Sequence, residues 1–331
     1  MKKLPLLFIA CIALFAGCNN DLDLTAPPQD IPVIYGVFSK QDTDHYLRVE
    51  RGFIDESITA EELAQNPDNL IYPDATVRLE ISDRPGEDFI FELVNGEEEG
   101  FDREEGFFED SPNYLYKLSG VNFANAQVLT VVLERGDDLP IVESDPVPVV
   151  DNFSIISPNE ANIKVTIRPD DTDFSVKYSA PNEAKIFDAY IIFHYDETRP
   201  NGEIIQKQLR WTVARNQLRD DEGDVVSKRE GIDFFTLLVN SIEPELNVSR
   251  RFRKFSVEVV AGGKAFADYV QLTLANTGIT SSQEVPNFSN IENGLGLVSS
   301  KFVARLDSVD MSSGMSTELK NGDLTRDLNF E

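Results

Sequence analysis

Cysteine is almost absent from this 331-residue chain: there are two, Cys11 and Cys18, both near the amino terminus. Everything beyond residue 18 therefore lacks a disulfide, a cysteine nucleophile and a thiolate metal site. Such a body must be held by its apolar core, and roughly 300 residues are enough to build one. Histidine is as scarce, with His45 and His194 alone. Zinc and acid–base sites usually need more partners than two isolated imidazoles supply. Basic residues are few, 30 Lys and Arg against 58 Asp and Glu, for a net charge of −28. Nucleic-acid binding rests on neutralising phosphates with Lys and Arg, so the balance argues against that partner. No G-x-S-x-G, H-E-x-x-H or P-loop occurs, and no repeat of solenoid length.

What is present begins at the amino terminus. Lys2 and Lys3 precede a mostly apolar stretch, Leu4 to Phe15, and then the small residues Ala16 and Gly17. This is the pattern of a secretory leader, and it is too short for a membrane-spanning helix, which takes about 20 residues. Phe15-Ala16-Gly17-Cys18 resembles the bacterial lipobox, although its usual Leu or Val stands one place early, at Leu14. The reading is a leader over 1–17 and acylation of Cys18. Each buried CH₂ of the acyl chains contributes about 0.8 kcal/mol to anchoring. Residues 18–30, including "NNDLDLTAPPQD", read as a short stiff tether. Its acidic start, Asn19 to Asp23, is similar to the export signal that sends Bacteroidetes lipoproteins to the cell surface. The expected location is the outer membrane, lipid-anchored and facing the exterior.

Beyond the tether, strand-like segments dominate. The runs 31–38, 45–53, 75–82, 88–94, 113–118 and 127–135 alternate or are rich in β-branched and aromatic residues, with Gly, Pro, Asn and Asp between them. In 75–82, Val77, Leu79 and Ile81 face inward. A capping box, Thr59 with Glu62, predicts a short helix over Ala60 to Gln65, ended by Pro67. The proline-rich stretch 137–153 reads as a domain boundary, because proline cannot donate to a ladder. A second series follows at 162–169, 173–181, 187–197, 203–215 and 254–262. In its third run Ile191, Phe193 and Tyr195 share one face and Tyr190, Ile192 and His194 the other. Two helices are inserted. One has Phe235, Leu238, Val239 and Ile242 on its stripe, the other Phe266, Tyr269, Val270 and Thr273. The expected fold is mainly β: two tandem Ig- or fibronectin-like sandwiches over 31–146 and 147–310, with short inserted helices and a tail over 311–331.

The segments "VIYGVFSKQDTDHYLRVERGF", "SPNYLYKL", "DFSVKYSAPNEAKIFDAYIIFHYDE", "AGGKAFADYVQLTL" and "NFSNIENGLGLVSSKF" resemble a family of Bacteroidetes lipoproteins known only as a domain of unknown function. The resemblance extends to the terminal "LTRDLNF", and its most specific piece is the turn Asn290 to Gly296. It implies a surface-exposed two-domain β lipoprotein encoded beside TonB-dependent transporters. It carries no catalytic residues.

Candidate sites are few. The loop "EEEGFDREEGFFED", 97–110, holds eight carboxylates and three phenylalanines. Long loops between strands are often functional, so Phe101, Phe107 and Phe108 are candidate partner-binding anchors; the alternative is aromatics folded back on the core. Asp220, Glu222 and Asp224 offer hard oxygen ligands for calcium, as do the acids of 170–173, but the spacing is not that of an EF-hand and hairpin turns are the plainer reading. Asp307-Ser308-Val309 matches a three-residue glycosylation signal short enough to arise by chance. "RRFRKF", 250–255, is a basic patch that reads better as the start of a strand with one wet face. Trp211 alternates with Leu209 and Val213 and is expected in the core. No cofactor is expected. The function expected is a non-enzymatic accessory or binding component of a TonB-dependent uptake system. The alternatives are a structural or adhesive surface module and, behind it, a carboxylate-based hydrolase, which needs two carboxylates about 5–9.5 Å apart in a cleft.

Overall fold

A computed structural model describes residues 30–53, 65–103, 111–136, 139–159, 164–170, 172–219, 223–275 and 288–331. It is mainly β, 48% strand and 14% helix, with three sheets and three short helices. The strands are β1 (Asp30–Ser39), β2 (His45–Phe53), β3 (Thr76–Ile81), β4 (Phe89–Ile90), β5 (Glu92–Asn95), β6 (Tyr114–Leu118), β7 (Val128–Glu134), β8 (Val142–Ser144), β9 (Val147–Pro148) and β10 (Ile155–Ser157). After them come β11 (Asp173–Tyr178), β12 (Ile186–Thr198), β13 (Ile204–Leu218), β14 (Val225–Glu230), β15 (Ser249–Gly262), β16 (Ile291–Glu292) and β17 (Leu295–Val309). Helix α1 (Gly231–Ser241) follows β14, α2 (Lys264–Ala275) follows β15, and α3 (Ser313–Asn321) follows β17.

Period-two alternation places these strands with one face on a core. Val77, Leu79 and Ile81 of β3 are buried, and Ile191, Phe193 and Tyr195 of β12 likewise. Two apolar cores result. The first is built mainly from residues 34–149, including Ile34, Phe38, Leu79, Val131 and Val142. The second is built from residues 150–330 around an aromatic cluster. There Phe193 meets Phe234, Phe252, Phe255 and Phe330, with ring centroids 5.5–5.8 Å apart. Burying each such ring is worth about 1.5–3 kcal/mol.

The two cores share a sheet. Eight strands run in the order β13-β12-β15-β17-β1-β2-β6-β5, crossing from the second half of the chain to the first. A six-stranded sheet of β16, β8, β7, β3 and β4, with β9 paired to β7, faces the first core; a three-stranded sheet, β10-β11-β14, belongs to the second. The crossing is a parallel pairing of β1 with β17, from Val33 opposite Leu295 to Ser39 opposite Lys301. At 15 residues β17 is about 50 Å long. It gives Val298 to the first core and Ala304 and Val309 to the second. A position near 146–149 therefore divides most of the two cores in sequence, Ile291 and Val298 excepted, but does not divide the sheet.

The turn Asn290 to Gly296 sets this junction. The buried Asn290 amide donates to the Val298 carbonyl at 2.8 Å and accepts from the Val298 amide at 2.9 Å. Gly296 has φ +128°, and a Cβ there would stand 1.9 Å from the Ile34 carbonyl oxygen. Only glycine allows the two strands to approach so closely.

Several expectations are corrected. The run 88–94 is not one strand: it breaks at buried Phe91, whose amide bonds to the Val77 carbonyl, so β4 joins one sheet and β5 another. In the run 162–169 the described residues make only an isolated bridge, Val165 to Met311, although Val165 and Ile167 are buried. The inward stripe of α1 is Phe234, Phe235 and Leu238, and Val239 is exposed. On α2 the buried residue is Ala267, while Tyr269 is exposed. The segment 311–331 is no loose tail. Ser312 caps α3, and Met315, Leu319, Leu328 and Phe330 enter the second core. The helix expected over 60–65 falls outside the described residues, apart from Gln65.

Candidate functional site

Strand β1 turns Ile34 and Phe38 to the core and Tyr35 and Val37 outward, where they are 51% and 37% exposed. Its neighbour β2 sets Arg48 opposite Tyr35. After β5 a tight turn brings the chain back: the Phe101 amide donates to the Gly96 carbonyl at 2.8 Å. Phe101 then meets Tyr46 edge-on, with centroids 4.7 Å apart, and remains 44% exposed. These residues line an open cleft of about 460 Å³, with Val37 and Lys301 on the same rim.

The near leg of the acidic loop is fastened below this cleft. The Asn113 amide donates to the Phe101 carbonyl at 2.8 Å, and Arg48 donates to the Asn113 side chain at 2.7 Å. Tyr46 Oη donates to Glu99 at 2.9 Å, and Lys117 pairs with the same carboxylate. Arg103 pairs with Glu50 at 3.0 Å. The hydrogen bond from Lys117 holds Glu99 below the usual carboxylate range, and the same contact raises Lys117. Burial, then Glu99, raises the Tyr46 phenol. The first part of the loop is thus an ordered platform that presents the Phe101 ring.

Of the three phenylalanines read from the sequence, Phe101 stands at this cleft. Phe107 and Phe108 lie outside the described residues, as do Cys18, Asp220 and Glu222. Asp224 is engaged by Lys177 at 2.9 Å. Asp170 accepts from the Thr172 amide at 3.0 Å in an Asx turn. Among the described residues no three His, Cys, Asp or Glu side chains are grouped to hold a metal ion.

The histidines are structural in their contacts. His45 is buried, stacked on Phe123 at 4.3 Å, with Nε2 2.8 Å from the Val121 carbonyl. Burial lowers its pKa. His194 Nε2 lies 2.9 Å from Ser256 Oγ, and burial followed by Lys254 lowers it too. Trp211 packs in the core against Phe234 at 5.5 Å.

Sequence reasoning missed the buried charges. Arg250, in the basic run read as a strand start, is 1% exposed. It donates to Glu197 at 3.1 Å, to the Leu328 carbonyl at 2.8 Å and to the Glu243 carbonyl at 3.0 Å. Glu258 alternates with the inward Val257 and Val259, as a solvent-facing residue would, yet it is buried between Arg210 and Arg305. Burial alone would raise its pKa; the two guanidiniums outweigh that and lower it. Register was the missing signal, because Glu197 stands opposite Arg250 only once β12 and β15 are paired.

No protein-family model matches the chain, and no curated protein matches it.

Proposed function

We propose that the chain is a non-enzymatic binding component, anchored through a lipid on Cys18 to the exterior face of an outer membrane and serving a TonB-dependent uptake system. Its body on this reading is a pair of Ig- or fibronectin-like sandwiches joined by the common sheet. The observation that supports it is the open aromatic cleft on β1, the strand into which the tether runs. Asp30 opens that strand, and its carboxylate accepts from Arg51 at 2.8 Å, Tyr72 at 2.8 Å and Arg135 at 3.0 Å. A tether over 18–30 reaches about 40 Å at full extension, and on this reading Tyr35 and Phe101 lie within reach of a partner in the membrane.

Affinity capture of the lipidated chain from native membranes after cross-linking tests this. The expected result is co-recovery of a transporter with the wild type, and its loss with Tyr35→Ala plus Phe101→Ala at unchanged membrane abundance. Recovery of the wild-type chain alone counts against the reading. A second reading, a rigid adhesive or spacer module, is favoured by the unbroken eight-stranded sheet. In that case deletion changes cell contact and leaves uptake intact.

A further inference from the structure

We propose that a second cavity, at the amino-terminal end of α2, binds a small zwitterion of amino-acid size, with its carboxylate at the helix end and its ammonium at Asp145. The cavity is about 180 Å³ and lies between the helix start (Gly263, Lys264, Ala265), Ser299 of β17, and Asp145. This is a separate place from the aromatic cleft and does not depend on the function proposed for it.

Ser299 is the leading observation. It is 1% exposed, and among the described residues its hydroxyl has no hydrogen-bond partner. A buried hydroxyl left unpaired costs free energy, and such groups in native structures call for an explanation. A Cβ built on Gly263 would stand 3.2 Å from Ser299 Oγ, so the hydroxyl lies against the residue that begins the helix. The first amides of α2 have no acceptor within the helix, and Gly263 has no side chain with which to cap them. Gly263 itself donates to the Ser300 carbonyl at 2.9 Å. An acceptor seated here would receive the Ser299 hydroxyl and the first-turn amides together, with the positive end of the helix dipole behind them.

Charge decides what kind of acceptor. Lys264 is paired with Asp268, and Asp145 lines the opposite wall of the same cavity. A bare anion would meet two carboxylates and one ammonium. A bare cation would leave Ser299 and the helix amides unused. A ligand carrying both groups satisfies both walls: its carboxylate takes the hydroxyl and the amides, and its ammonium faces Asp145. The volume is below that of ordinary drug-sized pockets, about 300 Å³ and upward, which limits the ligand to a small molecule such as a short-chain amino acid.

Titration of the ¹⁵N-labelled full mature chain with glycine, acetate, methylammonium and inorganic phosphate tests the site. Glycine should shift the Lys264, Ala265 and Ser299 amides and bind more tightly than the other three probes. Ser299→Ala should weaken glycine about tenfold, the scale of one hydrogen bond to a charged group, while raising the melting temperature of the free protein. Asp145→Asn should remove the advantage of glycine over acetate. Glycine without effect on these amides overturns the proposal, and so does binding unchanged in Ser299→Ala. Acetate or phosphate binding as tightly as glycine shows an anion site and overturns the zwitterion.

Discussion

Replacing Arg250 with alanine isolates the buried charge beneath the carboxyl-terminal segment. Arg250 is the largest fully buried side chain among the described residues. Its removal leaves Glu197, itself 2% exposed, without its buried partner. Breaking a buried pair by deleting one member costs about 3–5 kcal/mol, because the other charge stays desolvated. Glu197 keeps Lys207 at 3.0 Å, which places the cost at the low end, about 3 kcal/mol. The carbonyls of Leu328 and Glu243 also lose their donor. An unsatisfied buried carbonyl costs about 1–3 kcal/mol, so the terminal segment relieves the strain by lifting off β15 and exposing them to water. That segment is otherwise held by the Arg250 amide on the Asn329 carbonyl and the Glu331 amide on the Arg250 carbonyl, both at 2.9 Å. Two readouts follow. Urea unfolding should lose about 3 kcal/mol, and hydrogen exchange should quicken at position 250 and at Glu331 before it does so in β12. Arg250→Met combined with Glu197→Leu should recover the part of the loss that comes from the stranded carboxylate, since an apolar pair of similar volume is often neutral or stabilising, while the Leu328 and Glu243 carbonyls stay without that donor. A loss below about 1 kcal/mol in Arg250→Ala, or a double variant as unstable as the single, refutes the reasoning.

Gly296→Ala should cost about 3 kcal/mol or more, because it combines positive φ with a clash against the Ile34 carbonyl, which is backbone and cannot rotate away. Gly86→Ala, also at positive φ but in open space, should cost only about 1 kcal/mol in the same urea assay. Stability should also fall with acid in two stages. Burial lowers the pKa of both His45 and His194, so the unfolded chain takes up protons first; stability is full above about 6.5 and declines below it. His45→Gln should shrink that first decline, and His45→Gln with His194→Gln should remove it. Glu258 is held below its ordinary value by Arg305 and Arg210 despite its burial. Its contribution is full above about 4.3 and is lost as pH falls through the depressed value, a second decline that Glu258→Gln should flatten.

Legibility in the sequence followed the physics of each segment. Strands with one buried and one wet face, such as β2, β3, β11 and β12, were readable because alternation is a local signal. β17 was not read as a strand. It opens on Leu295-Gly296-Leu297, a glycine-bearing start that looks like a turn, and its neighbours are β1, far away in sequence, and β15. The tandem arrangement was inferred from proline density, and Pro146 and Pro148 do sit where the strands are short. Proline content cannot tell whether a later strand returns to close the first half. At the cleft, Phe101 was legible as an aromatic in a long loop. Tyr35 was not, because an alternating strand gives no sign of which outward side chain remains uncovered. Ser299 was invisible for a similar reason: nothing local distinguishes a satisfied serine from an orphaned one.

The same geometry explains how a chain of net charge −28 stays compact. Self-repulsion of that size opposes the folded state, and cations scattered on the surface would offset little, since exposed pairs are worth only about 0–1 kcal/mol. Arginines stand instead at sheet junctions. Arg51 and Arg135 secure Asp30 at the start of β1, Arg210 and Arg305 enclose Glu258 between β13 and β17, and Arg250 joins β12 to the carboxyl terminus. At each, one largely covered carboxylate takes more than one donor, so a few cations neutralise the acids that cannot face water. Elsewhere exposed cations meet exposed acids in single pairs, as Lys164 does with Asp310 and Arg326 with Asp323, and such pairs contribute little.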